Sequence, residues 1–134
     1  MPVNEQWLTE QVREESHRTL LRRIVASDER LDGIGFGEVL TDDASFRFGS
    51  GPATTGKANI VPLVTGFLSQ LKAFRHELFV AWESPGMLAY EAQVTYLRHD
   101  DRTVVLPYAN VLRLRGALIH DYRIYIDIAP LFAP

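Results

Sequence analysis

The sequence predicts an α+β fold, with N-terminal helices packed into a strongly curved, mostly antiparallel sheet. Three observations carry the prediction. Apolar residues recur at helical spacing from Trp7 to Val25 and again from Ile60 to Leu71. After Phe74, runs rich in β-branched and aromatic residues follow one another between short turn signals. The helical segments precede these runs instead of alternating with them, which separates α+β from α/β.

Each element can be justified in order. Trp7, Leu8, Val12, Leu20, Leu21, Ile24 and Val25 line one stripe, and no proline interrupts residues 3–51. One long helix is therefore expected, ending near Ser27-Asp28-Glu29-Arg30, with Asp32-Gly33 as the break. Residues 33–40 read as a short second helix, weakened by Gly33, Gly35 and Gly37. Ala44–Phe48 alternates around two phenylalanines as a strand, and Gly49-Ser50-Gly51-Pro52 is a turn. A further helix is expected from Lys57 to Phe74, with Pro62 tolerated near its first turn. Residues 75–83, 87–98, 103–115 and 118–128 are the four long strands, joined at Ser84-Pro85-Gly86, His99–Arg102 and Arg115-Gly116-Ala117. Such a sheet, curled round a helical layer, makes a cone with an internal pocket.

Composition narrows the function. At 134 residues, 46% of them hydrophobic and 23% charged, residues 1–134 read as one ordinary globular domain. A net charge of −3 argues against a surface built to hold nucleic-acid phosphates. No apolar run nears the roughly 20 residues of a membrane span, and the acidic residues among 1–16 leave no signal-peptide core, so a cytoplasmic location is expected. Without cysteine there is no thiolate nucleophile and no cysteine metal site. His17, His99 and His120 lack neighbours at metal-ligand spacing. The Gly33-Gly35-Gly37 run lacks the preceding strand and following Lys-Ser or Lys-Thr of a phosphate loop. Neither metal nor cofactor is expected.

Strand alternation identifies the side chains that share a face. His76 falls with Leu78, Val80 and Trp82; Leu88, Tyr90, Ala92, Val94 and Tyr96 form a second set. Tyr108, Asn110 and Leu112 form a third, and His120, Tyr122, Ile124 and Ile126 a fourth. Polar groups on apolar faces need a partner, water or ligand, since an unpaired buried one costs about 1–3 kcal/mol. His76, Asn110 and Tyr122 are therefore the informative positions. Arg123 and Asp127 share a face and are expected to pair, and Glu91 has Arg113 as a cross-sheet candidate.

Three stretches carry a family resemblance: Leu40-Thr-Asp-Asp-Ala-Ser-Phe46, the turn and helix from Gly56 to Leu71, and Arg115-Gly-Ala-Leu-Ile-His-Asp-Tyr-Arg-Ile-Tyr-Ile-Asp127. Together they resemble the SnoaL-like branch of the nuclear transport factor 2-like superfamily, a cone fold that hosts ketosteroid isomerases, polyketide cyclases, epoxide hydrolases, dehydratases and noncatalytic modules. The resemblance puts Phe48 where ketosteroid isomerases carry a general-base Asp, and Asn110 near their oxyanion-hole acid. It puts Gln93, Thr95 and Ile124 where limonene-type epoxide hydrolases carry an Arg-Asp-Asp set. The similarity to scytalone-type dehydratases implies Asp28, His76 and Glu91 as the acid–base residues, with Ser27 in place of a Tyr. It also turns Glu91 and Gln93 inward and Tyr90 outward.

The resulting expectation is a cofactor-independent isomerase, cyclase or dehydratase moving a proton on a small apolar or aromatic metabolite. His76, Asp28 and Glu91 are the catalytic candidates; Asn110, Tyr122, Tyr108, Phe48, Gln93 and Ile124 are the substrate-binding ones. The alternative is a noncatalytic ligand-binding or assembly module. The family also implies a homodimer through the outer sheet face.

Overall fold

The structure, a computed structural model, describes residues 3–134. Helices α1 (Glu5–Gln11), α2 (Glu15–Glu29), α3 (Gly33–Gly37) and α4 (Lys57–Leu68) cover one face of a six-stranded sheet. Its strands are β1 (Leu40–Phe48), β2 (Thr54–Thr55), β3 (Leu71–Ser84), β4 (Met87–Arg98), β5 (Thr103–Arg115) and β6 (Leu118–Tyr125), in the order β2-β1-β6-β5-β4-β3. All neighbours are antiparallel except β1 and β6, which run parallel. The sheet curls without closing, and the core lies between its concave face and the helices. The α+β class and the helices-then-meander order are as expected. No helix among the described residues is long and apolar enough to cross a membrane.

The first helix is two helices. Val12-Arg13-Glu14 runs extended between α1 and α2. Its exposed N–H groups are taken by Glu83, whose carboxylate accepts from Arg13 N at 2.7 Å and Glu14 N at 3.0 Å. The same carboxylate meets His17 Nδ1 at 2.8 Å. An acceptor 70 residues downstream leaves no local mark in the sequence at the break. Helix α4 also ends earlier than its apolar period suggests. The run from Leu71 to Phe74 belongs to β3, because Ala73 and Phe74 pair with Leu97 and Tyr96.

The glycines of α3 serve close packing. A Cβ at Gly33 would lie 2.1 Å from Thr65 Oγ1, and one at Gly37 2.5 Å from a Val61 methyl. These helices approach more closely than any side chain allows.

Two of the sheet's register shifts, one on β3 and one on β6, reset the inward faces that the sequence predicts. Leu78 pairs with Ala92 but Val80 pairs with Glu91, so Phe79 is an extra residue. Beyond it Ala81 and Glu83 turn inward, and Trp82, expected beside His76, is outward and 52% exposed. On β6, Asp121 pairs with Arg113 and Ile119 with Leu114, so His120 is the extra residue. Ile119 is consequently core, fully buried, where simple alternation would put it outside. Arg123 pairs with Asp121 at 3.1 Å instead of Asp127, and Arg113 also faces Asp121, at 4.0 Å, leaving Glu91 without that partner.

Candidate active site

The last turn of α2 carries Asp28 and Glu29 and no basic residue. Acidic side chains are unfavourable there, because the carbonyl end of a helix already carries partial negative charge. The turn closes as a Schellman motif: Asp32 N bonds to Ser27 O and Leu31 N to Asp28 O, with Leu31 at φ 56°. A leucine in that left-handed conformation costs roughly 1–2 kcal/mol. This turn aims both carboxylates at β3.

They grip His76 from two sides. Asp28 Oδ2 lies 3.3 Å from His76 Nε2, and Glu29 Oε2 lies 3.3 Å from His76 Nδ1. The same Glu29 oxygen accepts from the His76 backbone N–H at 2.8 Å. The three side chains are 12%, 7% and 4% exposed for Asp28, Glu29 and His76. The imidazole stacks on Phe74 with centroids 4.5 Å apart and meets the edge of Tyr108.

Burial alone would push the imidazole towards its neutral form, but the two carboxylates outweigh it and raise the His76 pKa above its ordinary value. Burial likewise raises Asp28, opposed by His76. Glu29 is lowered: burial works against its charge, and the His76 ring and backbone N–H prevail. The trio favours an imidazolium between carboxylates.

His76 and Asp28 form part of the wall of a cavity of about 50 Å³ inside the cone. The remaining wall is mostly aromatic, including Phe36, Phe46, Phe48, Phe67, Phe74, Tyr96, Tyr108 and Tyr122. Asn110 lines it from β5. Its Nδ2 donates to Tyr90 Oη at 2.8 Å and Tyr122 Oη at 3.4 Å, while its Oδ1 is buried with no hydrogen-bond partner among the described residues. Burial raises the pKa of Tyr90, Tyr96, Tyr108 and Tyr122, so the phenols stay neutral.

No family model matches the sequence, and no curated protein resembles it in sequence. Solved structures do share its shape. A SnoaL-like proposed polyketide cyclase from Jannaschia sp. CCS1 superposes with a TM-score of 0.76 at 12% identity, over 91% of this chain and 94% of that one. A ketosteroid isomerase-like protein from Catenulispora acidiphila, in complex with trimethylamine, gives 0.72 at 17% identity, over 79% and 83%. The chain has the nuclear transport factor 2-like fold. A limonene epoxide hydrolase-like epoxide hydrolase from Mycobacterium tuberculosis gives 0.71 at 13% identity over 85% and 84%. Identities this low carry the fold and not the reaction.

In this chain, Asp28, His76, Asn110, Tyr122, Tyr108, Phe48 and Ile124 all line the cavity. Glu91 and Gln93 do not. Tyr90 is inward and 1% exposed, so the next residue, Glu91, faces outward and is exposed, and Gln93 shares its side of β4. Plain alternation placed this strand correctly, and the orientation implied by the family resemblance is reversed. Glu29 takes the position beside His76 that Glu91 was expected to hold. Two acids in the last turn of a predicted helix, against its dipole, were the available signal.

His17 also has partners that its sequence neighbourhood hid. With Glu14 and Glu83 it forms a group whose ligand atoms lie within 4.8 Å of one another. Its Nδ1 meets Glu83 at 2.8 Å and its Nε2 meets Glu14 at 3.1 Å. Each ring nitrogen faces a different carboxylate, an arrangement that ties the linker to β3 and does not converge on one ion.

Proposed function

We propose that this nuclear transport factor 2-like chain binds a small molecule in its cone cavity and transfers a proton on it, as an isomerase, cyclase or dehydratase does, with no cofactor. The observation that carries this reading is a buried imidazole held between two carboxylates at the wall of an aromatic cavity. A histidine so placed holds a proton near neutral pH and can release it to a neighbour. In this reading His76 is the proton donor, Asp28 accepts and returns the proton on the cavity side, and Glu29 stands behind the ring to orient it. Asn110, Tyr108 and Tyr122 orient the ligand, and Phe48 and Ile124 add apolar wall. The trimethylamine-bound neighbour supports a small-molecule partner.

A second reading has its own support. Both ring nitrogens of His76 already face protein carboxylates, which suits a fixed wall of a binding module. Incubation of candidate metabolites with the protein in D2O, followed by NMR, separates the two. Deuterium entering a carbon position of a bound compound with wild type, and not with His76→Gln, supports proton transfer. Binding without exchange across the panel rejects it in favour of the module.

The partner for the outer face is a second copy. Phe79 (48% exposed), Trp82, Val105 and Tyr125 present apolar surface on β3, β5 and β6. Light scattering that returns the mass of one chain would reject this dimer.

A further inference from the structure

The polar groups around the cavity are unequal in kind. Asp28 spends one carboxylate oxygen on His76, and the other accepts from no described residue. Asn110 Oδ1 is a buried acceptor with no donor. Among the described residues no Lys or Arg lines the cavity, and the cationic group there, His76, is matched against two carboxylates. An anionic ligand would find nothing there to pair with. A neutral carbonyl could take a bond from Tyr96 or Tyr108, yet would leave Asn110 Oδ1 and the free Asp28 oxygen unmatched.

The wall adds the second half of the pattern. Phe67 packs edge-on against Tyr96 at 5.8 Å, Phe74 against Tyr96 at 4.8 Å, and Phe46 lies 5.4 Å from Tyr122. Aromatic rings ranged round a desolvated space attract a cation through their negative faces. The volume of about 50 Å³ is a third of the ~150 Å³ that takes a benzene ring, so it has room for a headgroup of a few heavy atoms.

We propose, building on the small-molecule reading above, that the ligand enters as an aliphatic amine in its ammonium form. Its N–H groups bond to Asp28 and Asn110 Oδ1, and its carbons lie against the aromatic wall. The notion of a purely apolar metabolite is thereby replaced by one with a charged head and an apolar body.

The test uses three probes of similar size at neutral pH: ethylammonium, ethanol and acetate, titrated against the full chain and followed by NMR of the cavity residues. Affinities for so few atoms fall in the millimolar range, which NMR measures. Ethylammonium is expected to bind at least tenfold more tightly than ethanol, with acetate weakest. Asp28→Asn should abolish that preference, and Asn110→Leu should reduce it through the other acceptor. Ethanol or acetate binding as tightly as ethylammonium overturns the cation preference and leaves the small-molecule site standing. No movement of Phe74, His76 or Tyr96 resonances with any probe overturns the site itself.

Discussion

Asn110→Leu separates a residue kept for folding from one kept for a ligand. Asn110 Oδ1 is buried without a partner among the described residues, a cost of about 1–3 kcal/mol that leucine removes. The substitution gives up the bond to Tyr90 Oη, worth about 1 kcal/mol. The contact to Tyr122 Oη lost with it is long, at 3.4 Å, and adds little. Leucine has as many side-chain heavy atoms as asparagine and nearly the same shape, so the swap adds little packing cost. The balance is between zero and ~2 kcal/mol of added stability. At ~2.1 cal/mol/K per residue, a chain of 134 residues would melt up to about 7 °C higher. Urea denaturation with an unchanged m value is the direct assay. A loss of ~1 kcal/mol or more would refute the reasoning, because it would mean that the amide is fully used by the folded protein.

Two further outcomes are expected. The His76 imidazole should titrate above its ordinary pKa of 6.5, because Asp28 and Glu29 hold its proton, and Asp28→Asn should bring the midpoint down. By linkage, the stability contributed by protonated His76 is complete below pH 6.5 and lost as pH rises through the folded-state midpoint. His76→Gln should therefore flatten the stability profile on the alkaline side, and a wild-type NMR midpoint at or below 6.5 would contradict this. Glu83→Ala removes the acceptor of two linker N–H groups and the partner of buried His17; a destabilisation of about 3 kcal/mol is expected in urea, with Glu83→Gln losing roughly half, and a loss below ~1 kcal/mol would contradict the capping role.

Much of the fold was legible because it is written locally. Turn signals at Ser84-Pro85-Gly86, His99–Arg102 and Gly116 bracket the strands, and alternation turns Tyr90 and Asn110 inward as observed. His76 stood out as a polar residue on an apolar face, and Asp28 at a helix end. What escaped depends on distant partners. The α1–α2 break rests on Glu83, and the phase of β3 and β6 rests on single extra residues whose only sign is the pairing of the neighbouring strand. Glu29 has no counterpart in the family pattern, which implies Glu91 for the same role. Local physics, two acids against a helix dipole, was the better guide.

The bulge at Phe79 ties the reading frame of the sheet edge to the attachment of the helical layer. Were Phe79 drawn into the ladder opposite Glu91, every residue beyond it would slide one place along β4 and turn over. Trp82 would be driven into the core and Glu83 out into solvent, so the α1–α2 linker would lose its anchor. The upstream half of the strand, with His76 in it, would keep its pairing. A single codon therefore divides β3 into a segment that serves the cavity and a segment that holds the N-terminal helices.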